Sequence, residues 1–243
     1  MSKTDTTTAT LEVFQYGPAW GLTTPSPFCL KLETYLRLAQ IPHQIKPGDP
    51  RKSPTGKLPT IRHKGQLISD SSVIIEYLKK EFGDPLDQRL TPQEKGRALA
   101  YQRLIEEHLY WVTVYARWIE PNNWPVVRDA FFGGLPGPLK LFVPNLVRGQ
   151  VKKQLHGHGL GRLAPAAIYQ RGTKDLQALA TGLGDQPYFL GTGPTSLDAS
   201  AYGFLANLLY PPLDSPIKSS LLDQPNLVSY VNRLSTQLFP VNP

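Results

Sequence analysis

Between residues 11 and 82 the apolar positions change their period several times, and each change marks a short element. Leu11 to Tyr16 alternates and is rich in strand formers, which predicts a first strand ended by Gly17-Pro18. After the loop 19–25, Phe28, Leu32, Tyr35, Leu36 and Ala39 recur at helical spacing. A helix is therefore expected down to Ile41, with Ser26 as its N-cap, Pro27 in the first position and Pro42 as its stop. His43-Gln44-Ile45 suits a short second strand, followed by a polar, proline-rich loop over 46–56. Leu58 to His63 and Gln66 to Ile68 flank Lys64-Gly65, a two-residue connection that predicts a hairpin. Ser69-Asp70-Ser71-Ser72 then opens a helix carrying Val73, Ile74, Tyr77, Leu78 and Phe82.

The polar stretch 83–91 separates this part from a remainder that reads as almost entirely helical. One long helix is expected over 92–119, with Leu104, Ile105, His108, Trp111, Val112, Tyr115 and Trp118 near one another. Breaks at 121–125 and 133–138 precede helices expected over about 139–155 and 164–183. Thr195 and Asp198 have the spacing of a reciprocal helix cap ahead of Ala201, Phe204, Leu205 and Leu208. Two domains follow, 11–83 and 92–240, with residues 1–10 as a disordered tail.

Composition narrows the class. A chain of 243 residues that is 40% hydrophobic and 19% charged can bury a sizeable core, and no run of eighteen apolar residues predicts a membrane span. The first ten residues lack the apolar core of a secretory signal, and the lone Cys29 allows no internal disulfide. Both point to a reducing, cytoplasmic setting. The net charge of +7 invites a test for nucleic acid. Its densest basic group, Arg148, Lys152, Lys153, His156, His158 and Arg162, has helical spacing and little aromatic interleaving, so it reads as a solvated face and no nucleic-acid partner is expected. Gly157-His158-Gly159-Leu160-Gly161 follows a helix rather than a strand, and His156 and His158 lack a third ligand, so neither a nucleotide loop nor a metal site is expected.

Chemistry concentrates at residues 24–36. A Ser-Pro helix start gathers orphan backbone N–H groups beside the Ser26 hydroxyl, which makes an anion site. Cys29 lies one turn further on, and Tyr16 ends the first strand on the far side of the loop through Trp20.

Ser26-Pro27-Phe28-Cys29 resembles the Cys-Pro-x-Cys turn of glutaredoxins with serine in place of the attacking cysteine, as in serine-type glutathione transferases. The order strand, helix, strand, hairpin, helix resembles the thioredoxin-like arrangement. Gly56-Lys57-Leu58-Pro59 is similar to the loop of that superfamily that ends in a cis-proline, and Asp70-Ser71 to the acidic-Ser pair that holds the γ-glutamyl end of glutathione. Pro194-Thr195-Ser196-Leu197-Asp198-Ala199 resembles the buried capping box of the helical domain, and together with Glu106-Glu107-His108-Leu109-Tyr110-Trp111 it points to the metaxin and failed-axon-connections branch. Lacking the tail that would seat it on a membrane as eukaryotic metaxins are seated, the chain resembles a soluble relative of bacterial type.

The resemblance implies an α/β thioredoxin-like domain followed by an all-α bundle, glutathione as co-substrate, no metal, and a homodimer. It implies that Ser26, Tyr16 or Cys29 meets the thiol, and that Phe28, Lys57, Leu58, Pro59, Asp70 and Ser71 hold the tripeptide. An apolar electrophile would rest on a wall of Trp20, Tyr110, Trp111, Tyr115 and Trp118. Two other readings stand beside this one: a non-catalytic, metaxin-like interaction module, and a glutathione-dependent thiol-disulfide oxidoreductase that uses Cys29.

Overall fold

A computed structural model describes residues 10–240, so all but the last residue of the expected tail lies outside the described residues. The sheet has four strands in the order β2-β1-β3-β4: β1 (Leu11–Gln15), β2 (His43–Pro47), β3 (Thr60–His63) and β4 (Gln66–Ser69). β1 runs parallel to β2 across α1 (Pro27–Leu38), as a helical crossover requires, and antiparallel to β3. Lys64 and Gly65 both take positive φ, the conformation that a two-residue hairpin turn demands. α2 (Ser71–Phe82) packs Ile74, Ile75 and Leu78 onto Leu11, Val13 and Ile61 of the sheet.

α1 ends three residues before the expected Ile41, because Gln40 turns left-handed and Ile41 donates back to the Leu36 carbonyl. It is also buried all round: Cys29 to Leu36 are all inaccessible, including Lys31 and Glu33. The reason is its position as the middle layer. Leu32, Tyr35 and Leu36 face the sheet, while Leu30 belongs to the helical core on the other side. On that side α8 (Ser196–Leu209) comes so close that a Cβ on Gly203 would sit 2.7 Å from the Lys31 amide nitrogen.

The long helix expected over 92–119 is one continuous path in three parts, α3 (Pro92–Arg103), a π-helical segment (Leu104–Leu109) and α4 (Tyr110–Trp118). A further helix, α5 (Trp124–Phe132), starts inside the first expected break and fills the stretch between the two breaks, to which no element was assigned; Pro125 sits in its first turn, where proline is tolerated. α6 (Gly137–His158), α7 (Pro165–Leu183), α9 (Pro216–Leu222) and α10 (Pro225–Leu238) complete the bundle around α8. Thr195 and Asp198 form the expected reciprocal cap, and Asp198 also accepts from the Phe189 N–H and the Tyr230 hydroxyl.

Candidate functional site

The first turn of α1, the loop before β3 and the inner face of α4 converge on a cavity of about 370 Å3. Ser26, Phe28, Lys57 and Leu58 line it from the sheet side, and Glu106, Tyr110, Arg117 and Trp118 from the helical side. A second hollow of about 250 Å3 shares Phe28, Lys57 and Leu58 and runs on to Pro59, Asp70 and Ser71. Shared walls make the two hollows neighbouring ends of one groove along the N-terminus of α1.

Ser26 caps α1 in extended conformation, and its Oγ accepts from the Cys29 N–H at 3.4 Å, a long contact in which the hydroxyl acts as acceptor and its proton is not used by the cap. The Leu58–Pro59 peptide is cis, as expected. Asp70 caps α2 through Oδ1, which accepts from Ser72 and Val73 N–H at 2.9 and 3.2 Å. Its own φ is +76°, a conformation uncommon outside glycine and forced here between the end of β4 and the start of α2. Asp70 is exposed and Ser71 buried beside it.

The structure places Tyr16 in the wall of the same cavity as Ser26, although the loop through Trp20 was expected to separate Tyr16 from the helix. Residues 19–22 fold back on themselves through an Ala19–Leu22 bridge, and Tyr16 lines the same cavity. Burial first, then the nearby Cys29 and Tyr110, pushes its phenol up to about 12, so it stays protonated at neutral pH. Cys29 is a different case. Its side chain is wholly inaccessible, it lines neither hollow, and burial pushes its thiol up to about 12. A protonated thiol out of reach of the groove is a packing group, so the geometry opposes a redox role for it.

Of the expected aromatic wall, Tyr110, Trp111 and Trp118 line the cavity. Tyr115 does not: it lies on another side of α4 and packs edge-on against Tyr169 of α7 at 5.8 Å. Trp20 does not either. It lines a separate hollow with Arg37 and Phe239, its ring 5.3 Å from the Arg117 guanidinium.

Sequence reasoning missed the polar side of the cavity. Glu106, Tyr110, Thr113 and Arg117 follow one another at helical spacing and all line it. Glu106 is neutralised by Lys31 at 2.7 Å, both buried, and Thr113 Oγ donates to the Leu109 carbonyl at 3.1 Å. Arg117, 6% exposed, has only neutral oxygens: the Pro25 carbonyl at 2.8 Å, Asn207 Oδ1 at 3.0 Å and the Asn207 carbonyl. Its Nε is buried without a partner, and burial holds the group down at about 10, still cationic at neutral pH.

Among the described residues no group of three or more His, Cys, Asp or Glu is placed to hold a metal, and no helix is long and apolar enough to cross a membrane.

A family model described as glutathione S-transferase N-terminal domain matches residues 27–123, and one described as glutathione S-transferase, C-terminal domain, matches 172–234. The chain is 35% identical over 234 residues to isoprene-epoxide–glutathione S-transferase of Rhodococcus sp. (strain AD45), covering 93% of this chain and 98% of that one. It is 31% identical over 242 residues to metaxin-1 of Mus musculus, covering 96% and 76%. In fold it is similar to the crystal structure of a glutathione S-transferase from Methylobacterium radiotolerans in complex with glutathione sulfonate, with a TM-score of 0.61 at 19% identity over 96% of each chain.

Proposed function

The chain belongs to the glutathione S-transferase family, and from that premise we propose that it binds glutathione in the groove along α1 and directs its thiolate at an electrophile in the larger cavity. The observation that carries the proposal is the position of Ser26, at the head of a helix and in the wall of the larger cavity, beside the Phe28, Lys57 and Leu58 that the two hollows share. In this reading the smaller hollow takes the peptide: the backbone at Leu58 faces the cysteinyl unit, the Asp70 carboxylate takes the γ-glutamyl ammonium, and Ser71 at the positive end of α2 takes its carboxylate.

A free thiol with a pKa of about 8.5 is only a few per cent ionised at neutral pH. A hydrogen bond to a charged group contributes about 1.5–3 kcal/mol and a helix N-terminus about 0.3–1 kcal/mol. Together these suffice to lower the thiol pKa by about two, at about 1.4 kcal/mol for each tenfold change. Ser26 therefore serves as the thiolate donor with no base or metal, and Tyr16, protonated in the same cavity, is the second candidate.

Calorimetry with glutathione tests the reading, with Ser26→Ala and Tyr16→Phe assayed for turnover. Binding in the micromolar to millimolar range and loss of turnover in Ser26→Ala are expected. No binding at millimolar glutathione overturns the proposal. That outcome would favour the second reading, a non-catalytic module, which the likeness to metaxin-1 supports.

A further inference from the structure

The polar wall of the cavity ends in a positive charge that the protein does not neutralise. The Arg117 guanidinium carries five N–H donors, and three are used, all on neutral acceptors of Pro25 and Asn207. No carboxylate among the described residues pairs with it, whereas the two acidic residues of the same wall are taken, Glu106 by Lys31 and Glu107 by Arg103. A buried cation without a counter-charge is costly, and one that lines a cavity recovers that cost when negative charge arrives.

We propose that Arg117 is a specificity-determining residue that selects electrophiles whose attack places negative charge on an oxygen, and binds that oxygen. This rests on the reading of the groove as a glutathione site. The Ser26 hydroxyl and the helix N-terminus already serve the sulfur, so the remaining charge is placed for the other reactant. For a strained cyclic ether the balance is simple. The glutathione sulfur forms a bond to a ring carbon, the C–O bond breaks, its electron pair stays on oxygen as an alkoxide, and the alkoxide takes a proton from water to give a hydroxy thioether. An alkyl halide attacked by the same sulfur sends its charge away on the halide ion, and gains less from a fixed donor.

The test compares turnover of a terminal alkyl epoxide with that of an alkyl bromide of equal chain length in the parent, Arg117→Met, Arg117→Lys and Asn207→Asp. The last variant puts a carboxylate where the Asn207 amide oxygen lies, 3.0 Å from the guanidinium, and cancels the charge without removing the brace. Glutathione affinity and the pKa of the bound thiol, read from thiolate absorbance, are measured in each. In Arg117→Met and Asn207→Asp the ratio of epoxide to bromide kcat/KM is expected to fall about tenfold or more, with Arg117→Lys recovering part of it. An equal loss on both electrophiles, or a raised thiol pKa with an unchanged ratio, overturns the inference and leaves the glutathione site standing. Should Arg117→Met fail to fold, an unchanged ratio in Asn207→Asp overturns it alone. Absence of glutathione binding in the parent overturns both.

Discussion

Lys31→Met should be among the most damaging single substitutions outside the apolar core. Lys31 Nζ and Glu106 Oε1 lie 2.7 Å apart, with side chains only 1% and 5% exposed. Lys31 also donates to Ser72 Oγ at 3.0 Å, and Ser200 Oγ donates to Glu106 Oε1 at 2.7 Å. Four segments, α1, α2, the π-helical turn and α8, thus meet at one charge pair. At an effective dielectric constant of about 20 the pair attraction at this distance is about 6 kcal/mol, against a desolvation cost of several kcal/mol per ion. The net contribution of the intact pair is therefore small. Removal of one partner is not small, because the other stays buried and unpaired at a cost of about 3–5 kcal/mol. For a chain of this size that lowers Tm by roughly 6–20 °C. The double variant Lys31→Met/Glu106→Gln removes the stranded charge and should return to within about 1.5 kcal/mol of the parent. Calorimetry and urea titration of the parent, both singles and the double close the cycle. A single variant costing under about 1 kcal/mol, or a double costing the sum of the singles, refutes the argument.

Three further outcomes follow from the packing. Asp198→Ala strands the N–H groups of Thr195 and Phe189 and the Tyr230 hydroxyl, which the carboxylate accepts at 2.8–3.1 Å, so urea titration should show a loss of about 3 kcal/mol or more. Gly203→Ala puts a methyl 2.7 Å from the Lys31 nitrogen and 2.9 Å from the Pro27 carbonyl, so α8 must back away from α1; a cost of about 1–3 kcal/mol is expected, and a neutral result would mean that the two helices slide freely. The Cys29 thiol, at about 12 in the folded state against an ordinary 9.0, holds its proton longer than the unfolded chain does. Its contribution is full below pH 9 and is lost as pH rises from 9 towards 12, about 1.4 kcal/mol by pH 10. Cys29→Ala should flatten that alkaline loss, and native protein should resist thiol alkylation that unfolded protein undergoes.

Period and punctuation made the sheet half legible. Alternation in β1, Lys64-Gly65 at the hairpin and Ser26-Pro27 at the start of α1 are local signals, and each element formed where its signal lies. The capping pair Thr195 and Asp198 was equally plain for the same reason. The aromatic wall was legible only in part: Tyr110, Trp111 and Trp118 line the cavity, while the other two members face elsewhere. Trp20 and Tyr115 were grouped with Trp111 and Trp118 because aromatic residues recur there, but a turn of the helix or a folded-back loop sends them to different neighbours. α5 was overlooked because its proline, tolerated in a first turn, resembles a break. Tyr16 is remote from the helix by residue count, but the loop after it folds back through the Ala19–Leu22 bridge and Tyr16 lines the cavity with Ser26.

The polar stripe of the long helix shows why the cavity's chemistry was the hardest part to read. Glu106, Tyr110, Thr113 and Arg117 at helical spacing have the signature of a solvated face, and in an isolated helix that would be the right conclusion. Docking against α1 and α8 reverses it. At one end Lys31, itself a charged residue inside a buried helix, supplies the matching cation for Glu106. At the other end α8 presents Asn207, which offers two oxygens and no charge to Arg117. The asymmetry cannot be found on any one segment, since it arises from which residues of α1 and α8 stand opposite the stripe. Had position 207 carried aspartate, the stripe would be neutral at both ends and the cavity would hold no preference for negative charge. As folded, one charge of the stripe is cancelled and the other is left in the wall of the cavity.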